Sequence, residues 1–506
     1  MGRSETRVRS LGLHAVLTPL HSFLPRLTTT RCDERAKETL PMNRAAGTEV
    51  VVLGGGLAGC DAAWAAAQQG AQVALYEMRP VRPTPAHKTG DLAELVCSNS
   101  LKSLLPHTAA GMLKAEMRLL GSLILRSAEA AAVPSGGALA VDRELFARAV
   151  TEGIADHPGI TLFREEAVEI PEGLPVVVAT GPLTSDALAA QIQQLTGASE
   201  LYFYDAASPI VDAESIDRSI AFEASRYGKG QEEGGAGGYL NCPLNEEEYH
   251  AFRNAVLAGE LVPLQDFEPM KLFEGCLPIE ELASRGPLTM AFGPMKPVGL
   301  TDPRTGRRPF AVVQLRQENR AATLYSMVAF QTRMKWGDQQ RIFRMIPGLQ
   351  NAEFVRLGVM HRNTYLHSPV LLERTLELRA EVRDRAGRSA PVFFAGQMTG
   401  VEGYTESAAT GLLAGLNAAR RAQGAEPLEL PLEGMLGALT EYIAHGPEDN
   451  FQPMNSNLGI LPPLPDRIRQ KQARQQALIE RGLAEMRRFC SGVGCGVSGV
   501  GVGCRA

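Results

Sequence analysis

No apolar run in this 506-residue chain approaches the length of a bilayer span, so no membrane-crossing helix is expected. Strong charge of either sign is missing too. The 51 Lys and Arg stand against 56 Asp and Glu, so any nucleic-acid site must be a local patch. Close cysteine pairs are absent from the folded part. Eight scattered cysteines read as reduced thiols of a cytoplasmic protein rather than a disulfide framework. No metal site is expected, because the tail cysteines Cys490, Cys495 and Cys504 lack a fourth ligand and a tight pair. The hydrophobic content of 44% is ordinary for a globular chain, and the length allows two or three domains.

What is present is concentrated in residues 49–77, EVVVLGGGLAGCDAAWAAAQQGAQVALYE. An apolar run at 50–53 reads as a strand buried on both faces. It enters Gly54-Gly55-Gly56-Leu57-Ala58-Gly59, which has G-x-G-x-x-G spacing through Gly54, Gly56 and Gly59. An Ala-rich helix pattern follows to residue 69, and a second strand at 72–76 ends in Glu77. Gly54 suits a tight turn, Gly56 a close approach to a pyrophosphate, and Gly59 close helix–strand packing. The helix N-terminus offers N–H groups to phosphates. Glu77, eighteen residues after Gly59, is placed to accept the ribose hydroxyls. The pattern predicts dinucleotide binding and leaves FAD and NAD(P) both open.

Residues 1–47 fit no domain and read as a disordered leader, Arg-rich but also acidic, with a targeting peptide as the alternative. After a proline-rich loop, the segment ELVCSNS places Cys97 before Ser98-Asn99-Ser100, all good N-cap types, and a helix pattern resumes over 113–127. Cys97 is therefore expected just before a helix N-terminus, where a thiolate is stabilised. Strand-flanked turns at 133–141, a helix at 142–154 and a buried strand at 174–180 complete the first part of a sheet domain over 48–200.

From residue 201 the pattern becomes short β runs between Gly- and Pro-rich turns, including 201–204, 239–240, 289–292, 310–315 and 323–330. Residues 201–336 read as an inserted domain, with a Gly/Glu loop at 227–238. Its stretch 285–344 carries eleven Lys or Arg against Asp302, Glu318 and Asp338, a candidate anion-binding face. Cys276 precedes Pro278 and a short helix, so it is the better nucleophile candidate than Cys242, which three glutamates follow. The strand at 391–396 then enters QMTGVEGYTESAATGLLAGLNAAR, where Glu406 and Ser407 open a small-residue helix with Gly411 and Gly415. That helix is expected to pack tightly on a sheet or cofactor, and residues 337–445 to resume the first domain. A C-terminal helical segment at 446–488, basic over 466–488, and a low-complexity tail at 489–506 close the chain.

These pieces, among them GGGLAGCDAAW, ELVCSNSLKS, VPSGGALAVDR, FEGCLPIE, FGPMKPVGL, FQTRMKWGDQ, GVMHRNTYLHSP and AGQMTGVEGYTESAATGL, resemble one family. It is the folate- and FAD-dependent tRNA (uracil-5-)-methyltransferases, TrmFO, and the resemblance runs over about 48–488. It implies an α/β fold, a Rossmann-like, glutathione-reductase-like FAD domain split by an inserted α+β domain. It implies methylation of C5 of uridine 54 in the tRNA T-loop, with 5,10-methylenetetrahydrofolate as carbon donor, FAD as reductant and NADPH or NADH recharging it. The family's two functional cysteines match Cys97 and Cys276. Gly396, Gln397 and Glu406 fall where that family meets the flavin, and His361 with Arg362 are the folate candidates. No protein partner is expected.

Three rivals remain. A GidA-like wobble-uridine enzyme shares the late glycine motif, but has a Gly-rich segment where this chain has ELVCSNS. A flavin disulfide reductase needs a dithiol, and Cys97 has no partner within a few residues. A non-catalytic FAD and RNA-binding protein would tolerate loss of either cysteine.

Overall fold

The computed structural model describes residues 46–84, 86–197, 201–206, 208–226, 238–262, 277–358, 360–380, 390–449 and 451–493. The leader, most of the Gly/Glu loop, Cys276 and the tail beyond 493 lie outside them, as do the side chains of 201–206 and 360–364.

Val50–Leu53 is the middle strand of a five-stranded parallel sheet, and its four side chains are fully buried. The order is Val392–Phe394, Val176–Val178, Val50–Leu53, Val73–Tyr76, Ile160–Phe163. Val51 pairs with Ala74 on one side and Val176 on the other, so the strand has no free edge. Such a strand must be apolar on both faces, which is what its sequence shows. The late strand Val392–Phe394 pairs in parallel with Val176–Val178, so residues more than two hundred positions apart complete one sheet.

The helix Leu57–Gln68 and the return helix Tyr404–Ala422 lie against each other. A Cβ at Gly411 would stand 2.1 Å from the Ala58 carbonyl oxygen, and one at Gly415 2.1 Å from that of Ala62. The two glycines therefore serve a backbone-to-backbone helix crossing, rather than the sheet or cofactor contact expected of them.

Between the fourth and fifth parallel strands comes an antiparallel sheet of six strands. Its order is Phe222–Glu223, Tyr239–Leu244, Ala311–Gln317, Leu324–Met327, Ile210–Asp212, Phe354–Arg356. Phe252, Phe330 and Phe343 form its apolar core with Val313 and Met327. One expected strand is absent: Thr289–Phe292 is a single helical turn closed by Gly293. Four apolar residues carry too little periodicity to separate the two conformations. The last helix is Lys471–Val493, so within the segment 446–488 the helix begins at Lys471.

Candidate active site

All five parallel strands deliver their carboxyl ends to one cavity, partly open to solvent. Gly54, Glu77, Glu165, Ala179 and Gly396, each one or two residues past a strand, lie on its wall. Ligands of open parallel sheets bind at this edge, because the chain turns away there and leaves room.

The glycine turn has a division of labour. Gly54 has φ +101°, and a Cβ on it would strike the Ala179 carbonyl oxygen at 2.6 Å. Gly59 would strike the Gly54 carbonyl oxygen at 1.7 Å, so it seats the helix on the turn. A methyl group on Gly56 meets no atom within 4 Å, and Gly56 lines the cavity. It is the one of the three whose bareness leaves room for a ligand rather than for the fold. Gly56 also caps the helix Leu57–Gln68, whose first amides receive no side-chain cap. Leu57 and Ala58 line the cavity beside it, while Gly55 and Gly59 do not.

Glu77 is buried and already engaged. Its Oε2 accepts the Gly55 N–H at 2.9 Å, and its Oε1 accepts both the backbone N–H and Nε–H of Arg79. Burial alone would raise this carboxyl, but the Arg79 hydrogen bond and charge outweigh it and hold it below the usual carboxylate range. Glu77 thus stays anionic on the cavity wall, and Glu94 shares the Arg79 charge. Arg79 is a member of the site that spacing alone did not disclose.

At the other end stand Gly396, Gln397, Tyr404 and Ser407. Gly396 has φ +81° and donates its N–H to Thr410 Oγ1. Glu406 is not on the wall. It is fully buried and accepts from Lys102 Nζ at 2.7 Å and from the Ser456 N–H and hydroxyl. Burial would raise it, yet Lys102 and Ser456 keep it below the usual range.

Cys97 does not precede a helix. Ser100–Ser103 is a short strand, and the next helix, Ala109–Leu119, is capped by Thr108. The cap-type residues instead serve neighbouring elements. The Asn99 side chain donates to the Val141 and Gln317 carbonyls, and the Ser98 hydroxyl oxygen accepts the Ser100 N–H. Positive charge reaches Cys97 from arginines rather than from a helix end. Arg143 and Arg356 donate to the Cys97 carbonyl, and Arg316 donates to Ser98 and Asn99. The Tyr404 oxygen accepts the Cys97 N–H. Val96 and Tyr404 both line the cavity, so Cys97 lies beside its wall. A signal for Arg143 was available in the sequence. It opens the helix Arg143–Ala155, where the dipole disfavours a cation.

Cys242 is fully buried in the strand Tyr239–Leu244, and burial pushes its thiol up to about 12. It is unsuited to nucleophilic work at neutral pH. Cys276 lies outside the described residues; the helix expected after it is present as Ile279–Ser284, capped by Pro278. His361 and Arg362 have their backbone in the strand Met360–Tyr365, paired to Asp205 and Tyr204, and their side chains lie outside the description. The basic stretch divides. Arg316 is buried at the Cys97 segment, and Arg304, Lys335 and Arg341 pair with Asp302, Glu260 and Asp338. Lys296, Arg307 and Arg308 line a groove beside Phe292, which is 78% exposed.

Residues 49–426 match the family model described as Glucose inhibited division protein A. The methylenetetrahydrofolate--tRNA-(uracil-5-)-methyltransferase TrmFO of Heliobacterium modesticaldum is 57% identical over 440 residues, covering 87% of this chain and 97% of its own length. The protein of the same name from Enterococcus faecalis is 56% identical over 435 residues, covering 86% and 97%. Among solved structures, Aquifex aeolicus GidA in its form I crystal matches with a TM-score of 0.64 at 18% identity, over 89% of this chain and 76% of that one. That similarity speaks for the fold alone.

Proposed function

Because this chain belongs to the methylenetetrahydrofolate--tRNA-(uracil-5-)-methyltransferase TrmFO family, within the wider glucose-inhibited division protein A family, we propose that it methylates C5 of uridine 54 in the tRNA T-loop. The carbon donor is 5,10-methylenetetrahydrofolate, and we assign the reaction to the cytoplasm. FAD, when bound, supplies the hydride that completes the methyl group, with NADPH or NADH as the outer reductant.

The residues present suit that cofactor. Gly56 leaves an uncapped helix end bare for a diphosphate, with Gly54, Leu57 and Ala58 around it. Glu77 is anionic, and its Oε2 keeps acceptor capacity beyond the Gly55 N–H for a ribose hydroxyl. Gly396, Gln397 and Tyr404 would flank the flavin ring.

Uracil C5 is a poor nucleophile until a thiolate adds at C6, and Cys276 is our candidate for that addition. The resulting C5 enolate takes the folate methylene. Cys97 then removes the C5 proton, tetrahydrofolate departs to leave an exocyclic methylene, and Cys276 departs as that methylene is reduced. His361 and Arg362 are the folate-side candidates, and Lys296, Arg307, Arg308 and Phe292 the tRNA face. Reaching the base from both sides requires unstacking it.

The observation that carries this reading is the position of Cys97 beside the cavity, its N–H held by Tyr404 on the cavity wall. Labelled methylenetetrahydrofolate, NADPH and a tRNA transcript test it. Label in 5-methyluridine is the expected result, and label arriving only from S-adenosylmethionine overturns it. RNA containing 5-fluorouridine should trap a covalent adduct. An adduct that survives in Cys276→Ala removes Cys276 from its role.

A further inference from the structure

The Cys97 segment is held by more buried positive charge than nearby carboxylates neutralise. Arg143, from the helix Arg143–Ala155, donates to the Leu95 and Cys97 carbonyls. Arg356, from the strand Phe354–Arg356, donates to the Val96 carbonyl at 3.2 Å and the Cys97 carbonyl at 2.9 Å. Arg316, from the strand Ala311–Gln317, donates to Ser98 Oγ at 2.8 Å and Asn99 Oδ1 at 2.7 Å. One carboxylate, Glu318, is ion-paired in this cluster among the described residues, and its partner is Arg143. Arg316 and Arg356 hydrogen-bond to neutral oxygens, and Arg356 Nε is buried with no partner among the described residues.

A loop can be fastened without buried cations, which are costly unless an anion balances them. Fastening alone accounts for the carbonyl bonds but not for the unbalanced charge. Burial pushes Arg316 and Arg356 below the usual arginine range, while the charge of Glu318 and, to a lesser degree, that of an ionised Cys97 act on both in the opposite direction. The other titratable neighbours are Tyr239, from the strand Tyr239–Leu244, which acts on Arg316, and Tyr404, from the return helix. The Tyr404 phenol is pushed up by burial, so it stays neutral and only accepts the Cys97 N–H.

We infer that Arg316 and Arg356 are positioning residues for Cys97, through which the antiparallel sheet holds that cysteine in place and balances its thiolate. The inference rests on the reading of Cys97 as a reactive thiol. It also assigns a task to the antiparallel sheet, which carries both arginines and which extends past residue 336 to Phe354–Arg356.

The test is alkylation of Cys97 by iodoacetamide, followed by peptide mapping across pH on the flavin-loaded enzyme. It needs neither tRNA nor folate, so it stays separable from a failure of methyl transfer. Arg356→Met should raise the midpoint of the pH–rate curve by about one unit, a roughly tenfold slower reaction on its acid side. Arg356→Lys, which keeps the charge, should recover most of that loss. Glu318→Gln removes the balancing carboxylate and should move the midpoint the other way, and it decides the matter if Arg356→Met does not fold. Unmoved midpoints, shifts of the same sign in both variants, or a wild-type Cys97 that resists alkylation would overturn the inference. A changed KM for tRNA with an unmoved midpoint would assign the charge to substrate instead, and also overturns it.

Discussion

The Tyr404 phenol oxygen accepts the Cys97 backbone N–H at 2.8 Å, across 307 positions of sequence. The same oxygen accepts the Ser98 N–H at 3.3 Å, so one ring joins the start of the return helix to the candidate base. Tyr404→Phe keeps the ring but strands two part-buried donors, at a cost of about 1–3 kcal/mol. Misplacing Cys97 should also lower kcat by roughly tenfold or more with little change in KM. Thermal melts and steady-state kinetics separate the two effects, and unchanged kcat in a destabilised protein would reduce the bond to a structural tie.

Two glycines of the same turn should fail differently. Gly59→Ala forces a methyl group against the Gly54 carbonyl oxygen, so misfolding or a loss of several kcal/mol is expected. Gly56→Ala has open space and should melt near wild type, yet bind FAD poorly because the methyl group occupies the ligand's side. Absorbance of the bound flavin, measured beside the melting curve, checks both.

Gly415→Val should loosen the helix crossing, because its side chain would meet the Ala62 carbonyl. The expected loss is roughly 3 kcal/mol or more, read from denaturant unfolding. An exposed glycine such as Gly306, with φ +65° and no atom near its Cβ, is the control for backbone strain alone.

Cys242→Ala should cost on the order of 1 kcal/mol in stability and leave fluorouridine adduct formation intact. Its thiol sits at the wrong protonation state for attack and is fully buried. Loss of the adduct in a folded Cys242→Ala protein would contradict this.

Asp61 and Glu116 set a pH dependence. Burial raises both carboxyls to about 7, against the hydrogen bonds that Ser122 and Ile124 give Asp61 and that Met435 and Leu436 give Glu116. The folded state then holds protons that the unfolded state has released. Stability associated with the two groups is full below about pH 4 and falls as pH rises to about 7, by at most about 1.4 kcal/mol per pH unit per group. Glu116→Gln should flatten that slope. Urea midpoints measured at pH 5 and pH 7 give the comparison.

Where local pattern suffices, the sequence was readable. The parallel strands are apolar runs because both their faces are covered, and the glycine turn has its own spacing. It misled at Ser98-Asn99-Ser100, whose side chains suit a helix cap but found partners in two other segments. It was silent on Arg356, since a lone arginine carries no sign of which carbonyl it will reach. The glycines of the return helix were rightly singled out as a close-packing surface, but their partner was another helix.

By itself the chain determined its dinucleotide turn, the acidic residue after the second strand, and the return of the first sheet late in the sequence. Each depends on residues adjacent in the chain, whose backbone preferences and hydrophobic period act locally. Only the tertiary structure decided what surrounds Cys97. Residues 143, 316, 356 and 404 converge there because the antiparallel sheet, the helix Arg143–Ala155 and the start of the return helix pack around that segment, and their charges act through space rather than along the chain.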